Sequence, residues 1–184
     1  MQWNARPDLM AEIVASIRPV QTEEALRQVL AHDFPTDCAA LPISGGWGYT
    51  ESEAIVFVRN TFPKSIPMNF VSLEYHISQK VIYEELIIFR PKDYRFSGVE
   101  KKLLVQNLIE QEGKTYDRLN FSVSCWSEWH WEQLKREWED NEFGQRVGFD
   151  IEAHQAKRSS SQVRYEREFW FDITEVFRRE SPRR

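Results

Sequence analysis

The segment Phe70-Val71-Ser72-Leu73-Glu74-Tyr75-His76-Ile77-Ser78-Gln79-Lys80-Val81-Ile82-Tyr83-Glu84-Glu85-Leu86-Ile87-Ile88-Phe89-Arg90 decides how the chain is read. Its first half alternates: Val71, Leu73, Tyr75 and Ile77 point one way, and Ser72, Glu74, His76 and Ser78 the other, as in a half-buried strand. Its second half, Val81 to Arg90, is apolar on both faces apart from Glu84 and Glu85. A turn at Gln79-Lys80 then makes a hairpin. In that register Tyr75 faces Glu84, and Leu73 faces Leu86, which gives a core face. The other face sets Glu74 opposite Glu85, with His76 opposite Tyr83 beside them. Like charges directly across two strands are unfavourable. Solvent, an internal cation, a shared proton or metal, or a cationic partner must offset them. Gln-Lys is not the Asn-Gly type that fixes a two-residue turn. A slip by one residue would, however, break the pairing of the two apolar rows.

Outward from this hairpin, helical spacing marks Asp8–Ile17, stopped at Arg18-Pro19, and a second helix capped by Thr22 that ends before Pro35. Four consecutive apolar residues, Ile55 to Val58, mark a buried strand within Glu53–Arg59. Pro63 and Pro67 bound a loop. Ser97 and Glu100 have the spacing of a capping box, which predicts a helix carrying Val99, Leu103, Leu104, Leu108 and Ile109 and stopping at Gly113. Leu119–Cys125 alternates as a strand, Ser127 can cap a helix through Trp131, Leu134 and Trp138, and Val147–Ala153 and Val163–Ile173 alternate again. Between the last two, Gln155–Ser161 reads as a hairpin tip. The expected fold is α+β: one domain over residues 1–184 with frayed ends at 1–7 and 178–184. It has a mixed, mostly antiparallel sheet of about six strands and four to five helices.

Three of the seven glycines fall within four residues, in Leu41-Pro42-Ile43-Ser44-Gly45-Gly46-Trp47-Gly48-Tyr49-Thr50. The segment lacks the GxxxxGK[ST] of a phosphate loop and the G-x-S-x-G of a nucleophile elbow, and a strand rather than a helix follows it. It reads either as a tight turn feeding that strand or as a recognition loop presenting Trp47 and Tyr49. The Trp126–Trp131 segment, together with Trp138, offers more aromatic surface than one helix face can bury. Trp126 or Trp129 is therefore expected to be partly exposed, and Trp129 is a candidate contact.

A net charge of -5 disfavours a general nucleic-acid binder and suits a basic protein partner. No apolar run reaches the roughly 18 residues of a membrane span. Met1-Gln2-Trp3-Asn4 does not open like a secretory signal, so the expected location is the cytoplasm. Cys38 and Cys125 are far apart with no CxxC, and no histidine shows HxxxH or HExxH spacing. His130 is expected at the surface and His154 at the start of the hairpin tip. Neither a metal nor a cofactor is expected.

Leu41-Pro42-Ile43-Ser44-Gly45-Gly46-Trp47-Gly48-Tyr49 and Tyr83-Glu84-Glu85-Leu86-Ile87-Ile88-Phe89-Arg90-Pro91 resemble segments of small bacterial proteins found beside polymorphic or contact-dependent-inhibition toxins. The likeness spans about residues 41–140. It implies an immunity protein, a non-enzymatic cytosolic inhibitor that binds the C-terminal domain of its toxin. The charge of the chain is compatible with a nuclease as that toxin, with Glu74, His76, Tyr83 and Glu85 as an acidic contact patch and Trp47, Tyr49 and Trp129 as aromatic anchors. Two alternatives stand beside it: a small hydrolase or nuclease using Glu74, Glu85 and His76, and a non-enzymatic adaptor using the Trp-rich helix.

Overall fold

The computed structural model describes residues 7–58 and 69–180. The Pro63 and Pro67 loop, and the frayed ends expected at 1–6 and 181–184, lie outside the described residues. Helix α1 (Pro7–Ala15) is followed by α2 (Leu26–Asp33), α3 (Pro35–Cys38), β1 (Ile43–Gly45) and β2 (Ile55–Phe57). Then come α4 (Phe70–Tyr83), a π-helical turn (Glu84–Ile88), the long strands β3 (Phe96–Gln111) and β4 (Lys114–Ser127), α5 (Glu128–Asp140), α6 (Ile151–Ser160), β5 (Val163–Asp172) and α7 (Thr174–Glu180). The α+β class holds. The sheet has five strands rather than six, in the order β1-β2-β5-β4-β3, and seven helices rather than four to five accompany it among the described residues. β1 pairs antiparallel with β2, and β2 pairs parallel with β5, placing Ile55 opposite Phe171.

The chain divides into two compact units. The first holds residues 7–18, 83–102 and 122–165, with Leu86, Phe96, Val123, Trp126, Leu134 and Val163 buried in it. The second holds 19–58, 69–82, 103–121 and 166–180, with Leu30, Ile43, Phe57, Leu73, Phe121 and Phe169 buried. In the second unit the aromatics pack in specific geometries: Phe57 stacks on Phe171 at 5.7 Å and Tyr75 meets Phe121 edge-on at 5.5 Å.

The expected hairpin at Phe70–Arg90 is a helix. Its buried positions are Leu73, Glu74, Ile77, Ser78, Val81 and Ile82, which recur with helical period. The same residues carry both patterns, because Leu73 and Ile77 fall on one side of a strand and on one side of a helix. No turn residue interrupts 70–88, and the Asn69 side chain accepts a hydrogen bond from the Ser72 amide at 2.8 Å, capping the start. The helix then widens by one residue: the Phe89 amide donates to the Glu84 carbonyl, five residues back, at 3.0 Å.

The expected helix after Ser97 is β3. Gly98 has φ +62, which breaks a helix start, and Glu112 and Gly113, at φ 51 and 78, form a left-handed two-residue turn into β4. Pairing with β4 outweighs the capping-box pattern. The expected strand Val147–Ala153 and the hairpin tip Gln155–Ser161 give way to α6, because Asp150 caps it by accepting from the Ala153 amide at 2.9 Å. Thr22 does not cap α2: the helix begins at Leu26 after Ala25, and the Thr22 hydroxyl accepts from the Glu24 amide instead. Pro7 and residues 178–180, expected to be frayed, fall within α1 and α7 respectively. The Ser127 cap of α5 and the strands at β2, β4 and β5 stand where the periodicity puts them.

Candidate binding groove

The glycine segment joins β1 to β2. Gly45 sits at φ +85, and a Cβ there would lie 2.4 Å from the Ala54 carbonyl oxygen, so only glycine fits this turn. The Gly48 amide donates to the Glu53 carbonyl at 2.7 Å, and the Gly48 carbonyl accepts from Trp170 of β5 at 2.8 Å. The loop is thus held from both sides. It aligns Trp47 and Tyr49 with ring planes 5° apart and centroids at 6.4 Å.

Segment 20–24 is strapped across these rings. The Val20 amide donates to the Tyr49 hydroxyl at 3.1 Å, and the Trp47 indole N–H donates to the Glu24 carbonyl at 3.3 Å. The result is an open groove of about 470 Å³, floored by Trp47 and Tyr49 and walled by Val20, Gln21 and Thr22. Glu23 and Glu53, both exposed, stand on its rim and are the charged members of the described lining. The Arg167 guanidinium lies 5.6 Å from the Tyr49 ring centroid. Trp47 is only 9 % exposed and the half-buried Tyr49 ring already faces Arg167, so a lysine or arginine side chain entering the groove meets the two rim carboxylates, by charge.

Glu74 and Glu85 do not face each other across a hairpin, and neither forms a surface patch, since each is 2 % exposed. Glu74, on α4, meets Asp117 of β4. Burial, and then the charge of Asp117 and the hydrogen bond to it, push Glu74 up to about 8. Burial also raises Asp117, against hydrogen bonds from Gln106 of β3 and from Glu74. In this pair Glu74 is the hydrogen-bond donor and Asp117 the acceptor, so burial favours the protonated Glu74 carboxyl. Tyr75 is raised by burial and by the same two carboxyls.

In the other unit, Glu85 accepts from the Tyr165 hydroxyl at 3.3 Å. Arg90 donates through Nε to the Glu85 carbonyl at 2.9 Å, through Nη1 to the Tyr94 carbonyl at 3.3 Å and through Nη2 to the Ser16 carbonyl at 2.8 Å. This guanidinium ties the end of α1 to the π turn. Burial pushes the Cys125 thiol up to about 12, against the charge of Arg90.

The remaining predicted residues scatter. His76 follows Glu74 by two helical positions, roughly 200° around α4, and its Nε2 lies 3.9 Å from the Cys38 sulfur. Tyr83 is half-buried at the end of α4. Trp129 is 59 % exposed, whereas Trp126 is buried. His130 is buried rather than on the surface, because its Nδ1 reaches the Ser127 hydroxyl at 2.8 Å and its ring lies against Trp129; burial lowers its basicity. His154 lies buried inside α6. No group of three metal-ligating side chains occurs among the described residues.

Of the predicted contacts, the structure brings together only Trp47 and Tyr49. It adds Glu23 and Glu53 to them and Asp117 and Gln106 to Glu74. Of the first addition, only Glu53 stands beside the aromatic loop in sequence, within the acidic run Glu51-Ser52-Glu53, whereas Glu23 arrives through the hydrogen bonds of segment 20–24. The second depends on tertiary pairing and left no local signal. Comparison with protein-family models, curated proteins and solved structures found no match to this chain.

Proposed function

We propose that the chain is a cytosolic immunity protein that binds and neutralises a basic bacterial toxin domain, a nuclease by preference, and that the groove of Trp47, Tyr49, Glu23 and Glu53 is its contact. The observation that carries this reading is the pairing of exposed carboxylates with aligned aromatics on a rigid loop. The net charge of -5 and the resemblance of the Leu41–Tyr49 segment support it. The acidic role passes from Glu74 and Glu85, which are buried, to Glu23 and Glu53. Carboxylates placed this way would cover a phosphate-binding surface and steer association.

The test is growth rescue on co-expression with the toxin domains encoded beside the gene, followed by association kinetics for the rescuing pair. Glu23→Lys with Glu53→Lys should slow association at least tenfold and flatten its salt dependence. An unchanged rate rejects the groove, and rescue against none of these toxins rejects the function. One observation favours the adaptor reading instead, the exposed Trp129 on α5. Replacing it with Ala should then weaken a partner complex that the groove variants leave intact. The hydrolase reading needs Glu74 and His76 around one substrate, and their positions on α4 point them apart.

A further inference from the structure

The first unit contains a second concave site. On α5, Trp131, Leu134 and Trp138 recur at i, i+3 and i+7 and so share one side. On α6, His154, Gln155 and Arg158 share another. These six residues, with Lys135, line a cleft of about 230 Å³, smaller than the roughly 300 Å³ at which drug-sized pockets begin.

The walls are fixed. Trp131 packs on Trp126 with centroids 5.3 Å apart, and Gly98 backs both rings so closely that a Cβ would lie 2.8 Å from each. Trp138 stacks on His154 at 5.3 Å and meets Phe149 edge-on at 6.0 Å. The His154 ring is locked in turn by Nδ1, 3.2 Å from the Glu137 carboxylate. Lys157 takes both oxygens of that carboxylate at 2.8 Å. Although burial alone would raise Glu137, these partners hold it below its ordinary range.

The charged side chains of the described lining are Lys135 and Arg158, both cationic, and neither forms an ion pair among the described residues. Arg158 extends over the Trp126 ring at 5.1 Å while its carbonyl accepts from the Trp126 indole at 2.9 Å, so its base is anchored. A cleft whose charges are all positive contrasts with a chain of net charge -5. Indole walls select flat rings, and two cations select one anionic group.

We infer that the α5–α6 cleft binds a small flat aromatic molecule of one or two fused rings bearing a single carboxylate or phosphate. The site belongs to a different unit from the groove and does not depend on the immunity reading.

Isothermal titration with four naphthalene probes tests it: 2-naphthoate, 2-naphthyl phosphate, neutral 2-naphthol and cationic 2-naphthylmethylammonium. One anionic probe should bind at one site at least tenfold tighter than 2-naphthol, and the cation should bind weakest. Which anion wins separates a carboxylate ligand from a phosphate ligand. Arg158→Gln with Lys135→Gln, at exposed positions, should remove the preference for the anion and leave 2-naphthol binding unchanged, with circular dichroism confirming the fold. Equal affinity for the anionic and neutral probes, no saturable binding, or anion binding unmoved by the double variant overturns the inference.

Discussion

Replacing Glu74 by Gln should make the protein more stable at neutral pH, although it removes a buried group that makes a hydrogen bond. Glu74 is raised from its ordinary 4.5 to about 8, chiefly by burial. A raised carboxyl keeps its proton in the folded state and releases it in the unfolded chain. Its contribution is therefore complete below pH 4.5, declines as pH rises from there, and levels off above about 8, where the folded state also ionises. At 1.36 kcal/mol per pH unit, the penalty for holding Glu74 protonated at pH 7 is about 3 kcal/mol. Glutamine keeps the shape and can still donate to Asp117, but it has no proton to release. The variant should gain up to about 3 kcal/mol at pH 7, or roughly 6–12 °C in Tm for a chain of this size, and almost nothing at pH 4. Urea unfolding of both proteins between pH 4 and pH 9 measures this. A variant no more stable than wild type at pH 7, with the same pH slope between pH 5 and pH 8, would refute the reasoning. It would show that Glu74 is ionised in the fold.

Gly98→Ala should destabilise by about 1–3 kcal/mol, because φ +62 strains any side chain and the new Cβ meets both Trp126 and Trp131; urea unfolding gives the loss, and near-ultraviolet circular dichroism should report the displaced indoles. Cys125, buried and pushed up to about 12, should not react with a thiol reagent in the native protein at pH 8 and should react at once in urea; rapid native labelling at that residue, located by mass spectrometry, would contradict its burial.

How much was legible from the chain depended on whether one pattern had a competitor. β4 and β5 could be read because Leu119, Phe121, Val123 and Cys125, and then Val163, Phe169 and Phe171, alternate and fit no helical stripe as well. α5 could be read because Ser127 caps it and Trp131, Leu134 and Trp138 repeat at helical spacing. Phe70–Ile88 could not, since Leu73 and Ile77 satisfy both periods, and only the lack of a turn former between them and Leu86 decides for a helix. β3 was hidden behind Ser97 and Glu100, a false cap that Gly98 already contradicts. In the candidate groove the aromatic floor was readable and the carboxylate rim was only half so. Glu53 adjoins the loop in sequence, whereas Glu23 is brought there by the Val20–Tyr49 and Glu24–Trp47 hydrogen bonds. Asp117 reaches Glu74 through the packing of a strand against a helix, and no local spacing records that.

The parallel pairing of β2 with β5 sets an order on how this protein comes into being. Ile55 and Phe171 lie more than a hundred residues apart in the chain, yet they are neighbours in the sheet. During synthesis the β1–β2 hairpin emerges early, with Ile55 and Phe57 apolar and their neighbouring strand not yet made. Such a distant closure comes at a high entropic cost, and contacts of this kind slow folding. Until translation passes β5, the hairpin is an open strand edge in a growing chain, which makes it the segment most in need of protection from other nascent chains.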